Sequence, residues 1–249
     1  MNKNEYLLYS QLEKQHWWFR ARRKILKEIL LEIDNKHNKS VLDVGCGVGI
    51  NFNMLFGSFN RVDGIDNNPE AIRFSRKINS NRMELMDACS LSKINNKYDL
   101  VSFLDVLYHK SIEDYTSVLK NAKKILNQDG YILIADGAFS FLSGGHSEHV
   151  HGSRRFTRKQ LILNLESLGY EIIISKYWGV LLFFLIFIKR RMLENIFPSN
   201  SKSSDVKHTP YLVNFIMYHL VSWERIFFKY FDFPVGSSIL ILAKKNKGK

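Results

Sequence analysis

The sequence predicts an α/β fold built on a doubly wound, mostly parallel sheet, and three observations predict it. Short aliphatic segments alternate with ten- to fifteen-residue stretches of helical periodicity, the pattern of successive βαβ units. The first aliphatic segment runs directly into a glycine turn, Gly45-Cys46-Gly47-Val48-Gly49. The segments that follow end in acidic residues, Asp66, Asp87 and Asp105. Sheets of this type bind ligands beyond the carboxyl ends of their strands, where strand order reverses. Polar motifs should therefore follow strands, and here they do.

The elements can be justified in order. Residues 14–34 carry Trp18, Ile25, Leu26, Ile29, Leu30 and Ile33 at helical spacing, and a polar break follows over 35–39. Residues 40–44 form the first strand, and 48–57 fit a helix stopped by Gly57. Residues 61–65 are the second strand, followed by a helix that Pro69 can open at its first turn. A weaker third strand spans 82–86 and a clear buried one 98–104. Residues 112–126 repeat apolar side chains with helical period, Gly130 closes that region, and 131–135 is the fifth strand. A loop rich in Gly, Ser and His occupies 136–156. Thr157 then caps a helix over 158–168 that Gly169 ends. Residues 171–175 and 238–242 read as two final strands. The roughly sixty residues between them are too many for a turn. They contain an apolar run, Trp178 to Ile188, a polar stretch over 198–210 and an aromatic-rich helix over 211–231. The chain thus divides into an N-terminal helical lid (1–39), a core (40–176 with 237–249) and an apolar, α-helical insertion between the last two strands (177–236).

Composition narrows the setting. At 249 residues, 45% hydrophobic and 24% charged, the chain suits one sizeable globular domain with an elaboration. A net charge of +12 implies attraction to polyanions: nucleic acid, anionic lipid or a phosphorylated substrate. Two cysteines, Cys46 and Cys89, make neither a disulfide framework nor a zinc set, which points to a reducing cytoplasmic setting. Residues 1–15 lack the apolar core of a signal peptide. As a helix, Trp178 to Ile188 would reach about 17 Å, short of the ~30 Å hydrocarbon core of a bilayer.

The glycine turn narrows the ligand. A dinucleotide fingerprint requires Gly-x-Gly-x-x-Gly, and here the third glycine falls one residue early. The helix that follows offers no phosphate ligand, so the turn suits a nucleoside without a pyrophosphate. Asp66 lies 66 − 45 = 21 residues after Gly45, where a carboxylate can accept both ribose hydroxyls. An Asp after a strand also serves as an ordinary helix cap, a reading that stays open for Asp87 above all.

Residues 40–135 resemble the core of class I S-adenosylmethionine methyltransferases. The resemblance implies a Rossmann-like, seven-stranded sheet whose last strand is antiparallel, and S-adenosylmethionine as cofactor. It implies that Gly45, Cys46, Gly47 and Gly49 line the methionine end of the cofactor and that Asp43 holds its amino group. Asp66 with Asn67 would meet the ribose, Asp87 and Ala88 the adenine, and Asp105 and Val106 the methionine wall. Cys46 is then a packing residue. A closer likeness, to a branch often encoded beside glycan and lipid biosynthesis genes, rests on His16-Trp-Trp-Phe-Arg-Ala-Arg-Arg23, Arg154-Arg155-Phe156-Thr157 and Phe233-Pro-Val-Gly-Ser-Ser238. Tyr108 departs from that branch, standing where many relatives carry an acidic residue.

Methyl transfer is an in-line displacement in which the protein chiefly aligns the reactants. An oxygen nucleophile would gain from a general base. His109, after the fourth strand, and His146, His149 and His151, after the fifth, are the candidates; solvent-facing loop histidines are the plain alternative. No carboxylate or cysteine completes a metal set around these histidines, so no metal is expected. Trp18, Phe19 and Arg20 are candidates to cover the pocket, or else to dock the helix on the core with a basic edge. Tyr108, Arg154 and Arg155 are candidates for substrate contacts. Apolar segments edged by Lys189-Arg190-Arg191, Arg225 and Lys229 suit a helix lying in an anionic lipid interface. The expected partner is therefore a small-molecule or lipid-linked, glycan-type acceptor, with a peripheral location on the inner face of the membrane. A water-soluble metabolite under a helical cap is the alternative. Nucleic acid fits less well, since the aromatics cluster with aliphatics rather than on a polar stacking platform. The sequence leaves the oligomeric state open.

Overall fold

The structure, a computed structural model, describes residues 10–78, 82–142, 154–188, 209–228 and 230–246. A seven-stranded sheet runs through the molecule in the order β3-β2-β1-β4-β5-β7-β6. Its strands are β1 (Ser40–Val44), β2 (Arg61–Asp66), β3 (Met83–Leu85), β4 (Tyr98–Leu104), β5 (Leu126–Gly137), β6 (Tyr170–Trp178) and β7 (Ser238–Lys245). The β1–β2, β1–β4, β2–β3 and β4–β5 pairs are parallel, while β7 runs antiparallel to both β5 and β6. The seven-stranded arrangement that the resemblance implies is therefore the observed one. Strand order reverses between β1 and β4, so the crevice for a ligand opens where Val44 and Leu104 end.

Helices cover both faces. On one lie α4 (Tyr115–Ile125) and α5 (Arg158–Ser167), packed against Leu42, Val101, Phe103, Ile132 and Ile134. On the other, α1 (Trp17–Ile29) inserts Ala21, Ile25, Leu26 and Ile29 against Val41, Leu100, Leu133 and Leu240. The remaining helices are α2 (Ile50–Met54), α3 (Pro69–Ile78), α6 (Val180–Ile188) and α7 (Tyr211–Phe228), the last two lying between β6 and β7. Caps follow the side chains: Asp114 accepts from Thr116 and Ser117 at α4, and Thr157 accepts from Gln160 at α5.

Three boundaries differ from the periodicity. The helix expected over 14–34 breaks at His16, whose Nδ1 accepts from the Trp18 amide and caps α1, leaving a separate helical segment over 10–15. The helix expected over 48–57 is only Ile50–Met54: the chain enters it through Gly49 at φ +75°, and at its end the Phe56 amide donates to the Asn51 carbonyl five residues back, breaking the regular ladder. β5 begins at Leu126, directly after α4, because Leu126 already pairs with Tyr98.

Candidate active site

The site is built at the carboxyl ends of β1, β2, β4 and β5. After β1 the chain turns through Gly45, Gly47 and Gly49, all with positive φ. Gly45 is required twice over: at φ +71° a side chain is strained, and its Cβ would lie 2.5 Å from Val106 Cγ2. Gly47, at φ +54°, differs, since a Cβ there would meet nothing within 4 Å. Open space thus lies over the middle of the turn. The turn is tied to β2 by the amides of Gly45 and Cys46, which donate to the Ile65 carbonyl, and by the Gly47 amide, which donates to Asp66 Oδ2 at 2.8 Å. Asp66 Oδ1 accepts from the Asn68 amide. A carboxylate has about four acceptor sites, so two donors leave capacity for ribose hydroxyls.

Four further acidic groups stand around this turn. Asp43 is buried and takes a 2.6 Å hydrogen bond from Ser102; burial pushes its carboxyl up to about 7. Asp66 is also raised, chiefly by burial. Asp105 adopts a left-handed conformation at φ +60°, and its carboxylate pairs with Arg22 of α1. Glu13, in the helical segment before α1, is raised to about 7 by burial against the opposing pull of Arg22 and Arg23. Arg23 in turn donates to the carbonyls of Glu13 and Lys14, clamping that segment onto α1. Buried Asp136 ends β5; its Oδ2 accepts from the Leu107 amide, and its carboxyl is driven well above the usual range, first by burial and then by Asp105.

Other sequence candidates divide among neighbouring places. Asp87 caps the 3-10 turn Ala88–Lys93 through Cys89 and lies 3.4 Å from the Asn67 amide nitrogen, closing the β2–β3 side. Cys46 is buried and its thiol is pushed up by burial, as for a packing residue. His109 Nδ1 accepts from the Ser111 amide at 3.3 Å and lies 2.8 Å from its hydroxyl. With Nδ1 accepting, a neutral ring carries its proton on Nε2 and presents a donor. It can take a proton from a substrate only after Ser111 is released. His146, His149 and His151 lie outside the described residues, and among the described residues no three His, Cys, Asp or Glu gather as a metal set.

The residues expected to cover the pocket mostly face elsewhere. Trp18 stacks on Trp178 of β6 with ring centroids 4.3 Å apart, and Arg20 lies over the Tyr218 ring of α7. Phe19 is buried, with Arg22 over its ring. It is Arg22, not Trp18 or Arg20, that α1 brings to the strand ends. Its sequence signal is position: Arg22, Leu26, Ile29 and Ile33 share one buried helical face, and a charge on that face is unusual. Arg155 donates to the Ala138 carbonyl beside Gly137, whereas Arg154 reaches the Glu113 carbonyl and the Tyr115 ring. Tyr108 is half-buried against the α4–α5 core. Beyond β5 the wall is aromatic: Phe139 stacks on Tyr177 and Phe141 and meets Phe183 of α6 edge-on. A separate cavity of about 210 Å³, lined by Asp63, Arg82, Glu84, Lys93 and Tyr98, holds none of the turn residues.

Residues 15–173 match the sequence profile of a family described as a methyltransferase domain. The chain is 27% identical over 135 residues to a ubiquinone biosynthesis O-methyltransferase of Hydrogenovibrio crunogenus, covering 48% of this chain and 54% of that protein. It is 27% identical over 145 residues to a malonyl-[acyl-carrier protein] O-methyltransferase of Acetivibrio thermocellus, covering 55% and 47%. The chain spans about half the length of the curated relatives it matches. Its fold is shared with an S-adenosylmethionine-dependent methyltransferase of Archaeoglobus fulgidus, at 19% identity and a TM-score of 0.58 over 96% of this chain and 99% of that one.

Proposed function

Because the chain belongs to the methyltransferase-domain family, whose class I members use S-adenosylmethionine, we propose that it methylates a small lipid-linked or glycan-type acceptor at a membrane surface. The observation that carries the cofactor half is the open space over Gly47, whose amide is held by Asp66, a carboxylate that keeps acceptor capacity, with Asp43 and Asp105 at the neighbouring strand ends. These residues fit a nucleoside linked to an amino acid: carboxylates for hydroxyls and an ammonium, and the Arg22 guanidinium for a carboxylate. Bound there, S-adenosylmethionine supplies a methyl group on an electrophilic sulfonium.

In this reading Asp66 and Asn67 hold the ribose, Asp87 and Ala88 flank the adenine, and Asp43 receives the amino group. Gly45, Cys46, Gly47 and Gly49 let the backbone come close, and Asp105 and Val106 wall the methionine. Arg22 exchanges its Asp105 partner for the carboxylate of the ligand. The acceptor enters between the 105–109 turn and the end of β5. There Arg155 and Tyr108 offer polar contacts, and Phe139, Phe141 and Phe183 offer an apolar wall that excludes water. His109 orients the acceptor as a donor, or takes its proton once Ser111 lets go.

The aromatic wall supports an acceptor with an apolar portion, because it runs from the end of β5 onto α6 through Phe139, Phe141, Phe183 and Phe187. A water-soluble metabolite is the second reading, favoured by the polar groups of Arg155 and His109 at the same mouth. Mass spectrometry of lipid and aqueous extracts incubated with protein and S-adenosylmethionine separates the two. A product heavier by one methyl group in the lipid fraction supports the first, and one confined to the aqueous fraction the second. No methylated product in either contradicts both.

A further inference from the structure

Helix α7 is apolar on both sides. Toward the protein it turns Met217, Val221 and Phe228 together with Asn214, Glu224 and Arg225; the side chains it turns outward are almost entirely apolar. Asn214 accepts from the Trp17 amide at 2.6 Å and donates to the Gln15 carbonyl, pinning α7 to the start of α1. Glu224 accepts from the amides of Gly179, Val180 and Leu181, so a carboxylate of α7 caps the N-terminus of α6. Arg225 pairs with Glu28 of α1. These contacts fix the rotation of the helix. They hold outward Leu212, Ile216, Trp223, Ile226 and Phe227, which are 66%, 50%, 63%, 52% and 48% exposed. The spacings of four, seven, three and one keep them on one stripe, with His219 the polar residue between them. α6 continues the surface with exposed Phe184, Leu185 and Ile188.

With its inner side already packed on the core, a monomer in water gains nothing from a second apolar face turned outward, and contiguous apolar surface of this size marks a contact. From the outward apolar face and the cations around it, we propose that α6 and α7 form a docking face for an anionic lipid bilayer, lying in its interface. Charge complementarity decides the occupant. Arg20 and Lys24 of α1 stand over Tyr218 along one edge of the stripe, and in the sequence Lys189-Arg190-Arg191 follows α6 directly. Tyr211 and Tyr230, 83% and 73% exposed, stand at the two ends of α7, where amphipathic rings suit the headgroup level. A second copy on this face would bring those cations against their like, in a chain already carrying +12. The helix lies on the bilayer rather than through it: it is about 27 Å long at 1.5 Å per residue, but Glu224 and Arg225 interrupt it. Among the described residues no helix is long and apolar enough to cross a membrane. The face would carry the β5 aromatic wall to the lipid surface, so the inference deepens the proposed membrane-borne acceptor and rests on that reading only for its purpose.

Vesicle flotation at low salt tests it, with vesicles of equal parts phosphatidylglycerol and phosphatidylcholine beside vesicles of phosphatidylcholine alone. The full chain should float with the anionic vesicles, less with the neutral ones, and less again when salt shortens the Debye length. Joint substitution Trp223→Glu and Phe227→Glu should reduce the bound fraction about tenfold, with an unchanged melting curve because both side chains point outward. Wild-type protein left in the soup of anionic vesicles, or a double variant that floats equally well, overturns the inference. So does a dimer in sedimentation equilibrium that the double variant dissolves while vesicles capture nothing. S-adenosylmethionine titration on the same samples keeps the failures apart: binding without flotation sinks the docking face alone, and flotation without binding sinks the proposed activity alone.

Discussion

Adding one methyl group at two glycines of the same turn should produce opposite signatures. In Gly47→Ala the new Cβ meets nothing within 4 Å, so the cost to the fold is the left-handed backbone alone, about 1–2 kcal/mol. For a chain of this size that lowers Tm by a few degrees. The same methyl, however, enters the space assigned to the cofactor, and overpacking there costs about 1–3 kcal/mol. Binding of S-adenosylmethionine should weaken about tenfold or more. In Gly45→Ala the methyl would sit 2.5 Å from Val106 Cγ2 at a similarly left-handed φ. Strain and overpacking then both fall on the folded state, for a total of about 2–5 kcal/mol. Thermal melts with isothermal titration on both variants give the comparison. A Gly47→Ala protein that binds the cofactor as wild type does would refute the assignment of that space. A Gly45→Ala protein no less stable than Gly47→Ala would refute the packing argument.

Arg22→Met should destabilise the protein by about 2 kcal/mol in urea unfolding, less than the 3–5 kcal/mol typical of a broken buried pair, because the Asp105 side chain is 39% exposed. It should also weaken S-adenosylmethionine binding, with Arg22→Lys recovering part of the loss; equal affinity in all three proteins would remove Arg22 from the site. Glu224→Ala should remove the cap of α6 at a cost of about 1 kcal/mol and speed amide exchange in Val180–Ile188, while β4 and β5 keep their protection. Ligand-free stability should also respond to pH. Glu13 and Asp43 are both raised to about 7 in the fold, so the folded state holds their protons more tightly than the unfolded chain, whose carboxyls titrate near 4. Their contribution is fully present below about pH 4 and is lost as pH rises through about 7. Tm should fall from pH 5 to pH 8, and a rise over that interval would contradict the buried, protonated carboxyls.

The sheet was readable from sequence because each strand is a short aliphatic run between turn residues, and because Asp66, Asp87 and Asp105 sit where strands end. Periodicity erred where backbone hydrogen bonding outvoted it. Past Met54 the Phe56 amide donates to Asn51 five residues back and the regular helix stops, and Leu126 joined β5 to pair with Tyr98 across the sheet. At the site the glycine turn and its 21-residue spacing to Asp66 could be read from the sequence, while the roles given to Asp43, Asp87 and Asp105 came from the resemblance. Arg22, Glu13 and Asp136 were not singled out, since their relevance comes from packing α1 and its preceding segment over the ends of β4 and β5. The inward charges of α7 were equally hidden, because a mixed string of aromatics and polar residues does not reveal which face meets the protein until Asn214, Glu224 and Arg225 find their partners.

The central claim is that the turn between β1 and α2 binds S-adenosylmethionine through Asp66. Isothermal titration of wild type and Asp66→Ala tests it most directly. The prediction is saturable one-to-one binding in the wild type, weakened at least about tenfold by the loss of a charged hydrogen-bonding partner. A wild type that takes up no cofactor, or an Asp66→Ala protein that binds it equally well, would contradict the account.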